Sequence, residues 1–593
     1  MVPSLMAETL KVAGNDFNPD VSFEDTQFPG MTSGTISYNA TNRRLTFKNV
    51  VIPGSGSSLG VYFSGDHITL RFEGKNVLTG GSHGIRINTS NYCNIESAYN
   101  MSYVEVSTAR KPDSNGSVYH ALWFSGDGRV SINNIYLKAT AYSQAITGNG
   151  SCKLEVDFAW VDAKSTNGNA AINKFVSAAI GDELYLERGN YDTSKKYFVE
   201  GSTTLSEVKV LPKLTVGGEI VNTESSEASE GWLVEPVGQT AGSIKYVNES
   251  QKLVFEQVTG TFGNVNLPEP YGQYLVYNAK IDNLNVAVKG TNTIQMNSNL
   301  TYSYGIWSDK TFTVIGGSND YSKDVFKFTG DYGFTSSENA YQMVFKKLTV
   351  NVSGESPICS ATRLSINESA VTATAKNDNE EALSAQEFAV YGCDISGGYF
   401  DNGHFYGKDG NALKKAVIKT TNSTYAMSIL GRNLNDVNIA DFAAPGWKSG
   451  TLLYNNSTQR LTLTDVQIDA TKTNTNAYGI DFDKTELYFK GSCSIMTGNK
   501  AALNLKSDVT ISSEDMTEVM IASDKSVGCQ LADNKTLTIK GGNLSEIDFV
   551  GSTALKGSAS TTLKMVKGNN RTGSTFVSNE EGAPAFTVGK FIN

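Results

Sequence analysis

The residues of this chain that could do chemistry are few and scattered. Its 593 residues hold 4 histidines, His67, His83, His120 and His404, and 6 cysteines, Cys93, Cys152, Cys359, Cys393, Cys493 and Cys529. No two cysteines have the Cys-x-x-Cys spacing and none adjoins a histidine, so a zinc site is not expected. Isolated cysteines of this kind read as small apolar side chains. Hydrolysis of a glycosidic bond needs two carboxyl groups, one to protonate the leaving oxygen and one to activate water or attack. The chain has no Asp-Asp pair, and Asp66-His67 precedes an alternating strand as a turn would. Gly54-Ser55-Gly56-Ser57-Ser58 lacks the lysine and helix that a phosphate-cradling loop requires. No catalytic residue is expected.

Binding chemistry has better candidates. Asp16, Asn18 and Asp20 cluster near the start, and Asp401, Asn402 and Asp409 cluster in a later turn. Calcium takes about six to eight oxygen ligands from such groups and from turn carbonyls. The first cluster is the calcium candidate, although Asn and Asp also favour turns for conformational reasons. Five tryptophans offer faces on which sugar rings could stack. Trp307, beside Ile306 in an alternating strand, and Trp447, in the loop Ala444-Pro445-Gly446-Trp447-Lys448, are the preferred ligand-binding positions. Trp123, Trp160 and Trp232 are less clearly placed.

The elements that must hold these residues are short strands. Apolar and polar side chains alternate in Ile68-Thr69-Leu70-Arg71-Phe72, Leu284-Asn285-Val286-Ala287-Val288 and Leu487-Tyr488-Phe489, the period that turns one strand face inward. Similar strands recur at roughly 20-residue intervals between Asn, Asp, Gly and Ser, and no helical stripe is evident. Gly34-Thr35-Ile36-Ser37-Tyr38-Asn39 returns as Gly242-Ser243-Ile244-Lys245-Tyr246 and as Gly450-Thr451-Leu452-Leu453-Tyr454-Asn455, 208 residues apart each time. Leu45-Thr46-Phe47, Leu253-Val254-Phe255 and Leu461-Thr462-Leu463 follow in turn. Upstream, the copies open on Leu10-Lys11-Val12-Ala13-Gly14, Leu214-Thr215-Val216-Gly217-Gly218 and Met427-Ser428-Ile429-Leu430-Gly431.

Three modules are therefore expected at 10–213, 214–426 and 427–593, after a tag or linker over 1–9. Leu184-Tyr185-Leu186, Cys393-Asp394-Ile395 and Leu537-Thr538-Ile539 read as matching module tails. On that match the third module is shorter by 63 to 64 residues, or about three coils. Loss of whole coils suits a solenoid, whose turns touch only their neighbours. The expected fold is all-β, a right-handed parallel β-helix, with tandem β-sandwich domains as the alternative. Cys152 and Cys359, 207 residues apart, are expected at equivalent inward positions.

A net charge of −10 with scattered Lys and Arg gives no basic stripe for a phosphate backbone, so nucleic acid is not an expected partner. No apolar run is long enough to span a membrane. An exported protein at the cell surface is expected, its leader segment removed.

The opening segments, the Gly-x-Ile-x-Tyr-Asn strand and Leu45-Thr46-Phe47-Lys48-Asn49-Val50 resemble a repeat of surface proteins from gut and cellulolytic anaerobic bacteria, described as carbohydrate-binding-domain or adhesin-like β-helix proteins. The resemblance runs through all three modules and implies an extracellular, polysaccharide-related role in which calcium can take part. Ser82-His83-Gly84-Ile85-Arg86-Ile87 holds His-Gly and Arg-Ile pieces similar to those of polygalacturonase-like enzymes, compressed into one strand. The other modules show no equivalent of it, and it reads as an ordinary turn and strand. The expected function is glycan binding or adhesion without catalysis. A spacer or assembly role, with self-association through coil ends, is the alternative, and a polysaccharide lyase or hydrolase comes third.

Overall fold

Alternation at every second residue makes each strand two-faced, and the chain buries the apolar faces by winding. The computed structural model describes residues 8–54, 60–98, 101–108, 118–223, 231–265, 267, 271–318, 320–377, 379–473, 476–540, 546–565, 586–587 and 590–592. The chain is nearly all β, 62% strand, and is a parallel β-helix of about 19 turns. Parallel pairing between successive turns excludes the tandem-sandwich alternative, whose sheets would be antiparallel. Among the described residues no helix is long and apolar enough to cross a membrane. Two units are distinguished, residues 1–313 with 328–341, and residues 314–327 with 342–593.

In the first unit, inward side chains stack in columns. Leu45 pairs with Leu70, Leu70 with Ile95, Ile95 with Ile132 and Ile132 with Val156, each in parallel register. Phe47 and Phe72 form the neighbouring column, with ring centroids 4.8 Å apart and planes at 15°. All these side chains are buried. Both ends of this stack carry antiparallel strands. Thr9–Val12 lies against Val61–Glu73, so the strand begins inside the segment expected to be a linker; residues 1–7 of that segment lie outside the described residues. At the far end Glu207–Pro212 pairs antiparallel with Trp160–Ser165 and with Leu184–Leu186. Leu214–Val216 then repeats the opening, antiparallel to Tyr274–Asn278.

The 208-residue repeat is a hairpin with a bulge. Ser33–Asn39 pairs with Arg44–Pro53, and Gln239–Val247 with Lys252–Phe262. Gly34 and Gly242 have φ of +81° and +80°, and a Cβ on either would lie 2.4 Å from the carbonyl oxygen of Asn49 or Gln257. Only glycine fits that approach. The bulge frees Val50 N–H and Val258 N–H, which donate to the buried Oδ1 atoms of Asn76 and Asn292 at 2.9 and 2.8 Å.

In the second unit, Met343 pairs with Leu364 and Leu364 with Phe388 in parallel, and Lys415–Thr420 closes antiparallel on Ala370–Ala375 and Cys393–Ser396. Thr424–Ile429 and the hairpin Trp447–Asn455 with Arg460–Ala470 reopen the pattern, and Ile480, Leu503, Cys529 and Leu555 stack in one parallel column. One expected tail is corrected here. Leu184–Leu186 and Cys393–Ser396 are antiparallel closing strands, but Thr536–Lys540 is an ordinary coil strand, parallel to both Val509–Ser513 and Thr562–Met565. Apolar alternation ending in a glycine corner suits either role, so Leu537-Thr538-Ile539 does not mark a module end. The count of three missing coils loses its anchor.

The cysteines are all unbridged. Cys152 is buried in the turn before Lys153–Asp157, whereas Cys359 lies partly exposed within Ser356–Asn367, so the two are not equivalent.

Candidate ligand-binding face

Outward positions on successive coils form their own columns, and two of these bring aromatic rings together. Within the first unit, the first module and the described start of the second can be aligned from their opening strands. Lys11 opposes Tyr62 as Thr215 opposes Tyr277. From Tyr62 the column runs through Arg86 and Trp123 to Thr147; from Tyr277 it runs through Trp307 to Thr335. Three residues earlier on the same strands stand His83, His120 and Gln144 in the first module, and Tyr274, Tyr304 and Tyr332 in the second. Arg86 therefore occupies the place of Trp307, and His83 that of Tyr304.

In the second module the rings form a ladder. Tyr274 and Tyr304 are 4.9 Å apart between centroids, and Tyr304 and Tyr332 are 4.6 Å apart at 13°. These separations follow the spacing of neighbouring strands. Trp307 stands edge-on to Tyr304 at 5.6 Å and to Tyr274 at 6.1 Å. Tyr304, Trp307 and Tyr332 are each partly exposed. Glycines set the tight stacking: a Cβ on Gly305 would lie 2.3 Å from the Gly333 carbonyl oxygen.

In the first module the same face is cationic and aromatic. His83 and His120 stack with centroids 5.5 Å apart and planes at 9°, and Trp123 lies 5.1 Å from His83. The Arg86 guanidinium sits 4.1 Å from the Trp123 ring centre and 5.3 Å from that of Tyr62. His120 N–H donates to His83 Nδ1 at 3.2 Å. Burial, helped by the nearby Arg86 charge, pushes His83 down to about 4. Burial and the His83 neighbour bring His120 to about 4 as well, so both rings are neutral at pH 7.

Sequence reasoning misses this pairing of histidines, and it finds no counterpart of Ser82–Ile87 in the other modules. One counterpart exists, in the second module. His83-Gly84-Ile85-Arg86 corresponds in strand position to Tyr304-Gly305-Ile306-Trp307, and each is located from its module's opening strand. In the third module Ser428 opposes Asp481, so Tyr478-Gly479-Ile480-Asp481 stands one coil earlier, at the level of Tyr62 and Tyr277, and the place of Arg86 and Trp307 falls to Asn504. The tetrad of a ring, Gly, Ile and an outward residue is the available signal. In the third module this column is polar: Asp481 accepts from Asn504 Nδ2 at 2.8 Å and Lys506 Nζ at 2.6 Å.

The remaining candidates are placed differently. Trp447 is only 5% exposed, packed in the core against Phe442 at 5.0 Å, and its indole has no face open to a ligand. Its loop reads as superficial because Pro and Gly surround it, yet the loop covers the apolar interior of the hairpin. Trp160 is fully buried as well. Asp16 pairs with Lys11 at 2.7 Å, and Asn18 Oδ1 accepts the Asp20 N–H at 3.0 Å to make the turn. Asp409 likewise accepts from Asn411 in its own turn. Among the described residues no three His, Cys, Asp or Glu side chains come together.

Trp232 lines a cleft with Phe158, onto which it stacks at 6.1 Å, and with Asn133, Asn134, Glu219 and Glu235. Burial pushes the Glu219 carboxyl up to about 7, against a lowering contact from the Met101 backbone.

No family model, curated protein or solved structure matches the chain.

Proposed function

We propose that this protein is an extracellular glycan-binding protein that holds sugar chains on its ringed face and does not turn them over. The observation that carries this reading is the partly exposed group of Tyr304, Tyr332 and Trp307, backed by the buried Tyr274. Aromatic rings combine a large apolar area with a polar edge. The C–H faces of pyranose rings stack on such surfaces while Tyr hydroxyls meet sugar hydroxyls. Rings repeated from coil to coil suit a polymer, because linked weak contacts gain avidity when several are engaged at once. The first module presents a second version of the face.

Affinity electrophoresis in soluble neutral and acidic polysaccharides tests this reading. Retardation that Trp307→Ala and Tyr304→Ala weaken at least fivefold, with no new reducing ends and no unsaturated uronate absorbance, supports it. Product release identifies an enzyme instead. Absence of any retardation moves the protein to a spacer or assembly role.

A further inference from the structure

The two versions of the face differ in a way that selects ligands. Where the second module places Trp307, the first places Arg86, a permanent cation with rings on its neighbouring coils. Guanidinium faces stack on aromatic rings, and the N–H groups then lie in the plane between them as a fork. Among the described residues Arg86 has no carboxylate partner, in contrast to Arg129, paired with Glu155, and Arg460, paired with Glu486. Its Nε is buried without a hydrogen-bond partner, while the side chain as a whole remains partly exposed. His120 Nδ1, beside it on the same face, is also buried and unpartnered. A buried donor left unsatisfied is costly, so such groups mark where an acceptor is missing.

Resting on the glycan-binding reading, we propose that Arg86 receives the carboxylate of a uronic acid residue, so that the first module takes acidic sugars and the second takes neutral ones. The carboxylate meets the guanidinium fork in its plane, with Trp123 and Tyr62 fixing the fork and bordering the sugar ring. The two neutral histidines add no charge; they offer a ring surface and a further hydrogen-bonding nitrogen. A carboxylate can take both N–H groups of the fork at once.

Isothermal titration of the full chain with tetragalacturonate and with its fully methyl-esterified form tests the assignment. The acid is expected to bind at least tenfold tighter, and both Arg86→Gln and Arg86→Lys are expected to remove that preference, since lysine keeps the charge but not the fork. Trp307→Ala is expected to leave the preference intact while weakening neutral glycans. Unchanged melting of the Arg86 variants shows that they fold; Arg86→Lys, the milder change, is read if Arg86→Gln does not. Equal binding of acid and ester, a preference that survives in both variants, or equal binding of a sulfated neutral tetrasaccharide overturns the assignment. Neutral binding sensitive to Trp307 with no acid preference defeats this inference alone; acid binding sensitive to Arg86 without neutral binding defeats the ladder reading alone.

Discussion

Asp394 is buried, and one oxygen of its carboxylate accepts from Arg432 Nη2 at 2.5 Å while the other accepts from Asn435 and Asn438 at 2.6 and 2.7 Å. The acid belongs to the closing strand Cys393–Ser396 and its partners to the opening segment of the module that follows. A buried ion pair of this kind adds little over an apolar replacement, but removing one member strands the other. Asp394→Ala is expected to lower unfolding stability by about 3–5 kcal/mol. Asp394→Asn is expected to cost less, because it keeps the shape and part of the hydrogen bonding. Urea unfolding followed by tryptophan fluorescence gives both values, and equal stability of Asp394→Ala and the parent would refute the ranking.

The stacked histidines make stability depend on acid. Both ionise near 4 in the fold against 6.5 ordinarily, so between those values the unfolded chain binds more protons. Their contribution is complete above about pH 6.5 and is lost as pH falls toward 4. His83→Tyr with His120→Tyr copies the ladder of the second module and removes both groups. Over that window the parent is expected to lose on the order of 3 kcal/mol more than the double variant. Parallel pH–stability curves would contradict it.

Glu219 has the opposite sign. Its carboxyl is raised from 4.5 to about 7, so the fold holds the proton more tightly than the unfolded chain does. The stability it contributes is present below pH 4.5 and disappears as pH rises through 7. Glu219→Gln is expected to flatten that slope and to be more stable than the parent at pH 8 by on the order of 2 kcal/mol. Thermal melts at pH 5 and pH 8 measure the difference. A loss of any hydrolytic activity in the same variant would assign the cleft beside Trp232 a catalytic role.

Phe47 and Phe72 supply a packing test. Both are fully buried and stacked in one column. Phe47→Ala leaves a cavity under its partner and is expected to cost about 3–5 kcal/mol, while Phe47→Leu costs less than half of that. A loss below about 1 kcal/mol for the alanine would show that the coils close up around the gap.

Much of this fold can be read directly from residues. Strand alternation around Leu45, Leu70 and Phe72 predicts the inner columns, and the 208-residue recurrence of Gly34, Gly242 and Gly450 is the bulged hairpin itself. The outer columns are harder to read, because coils differ in length. His83 and His120 are 37 residues apart and Tyr304 and Tyr332 only 28, yet each pair is adjacent in register. No fixed period connects them; the Gly-Ile core links only His83-Gly84-Ile85-Arg86 to Tyr304-Gly305-Ile306-Trp307 across modules. Trp307 can be placed outward from alternation alone. Trp447 cannot be placed inward, because nothing in its loop reveals the neighbouring Phe442.

A stack of parallel coils has no intrinsic length: each turn offers the next the same edge, and nothing in the repeat says when to stop. Glu207–Pro212 and Lys415–Thr420 supply the stop by running the other way across that edge. A reversed strand presents the wrong polarity for another coil, from this chain or a neighbouring one, to continue the winding. Coil number is thereby a ruler graduated in the chain. Such a ruler can be lengthened or cut by whole turns without disturbing the strand that ends it.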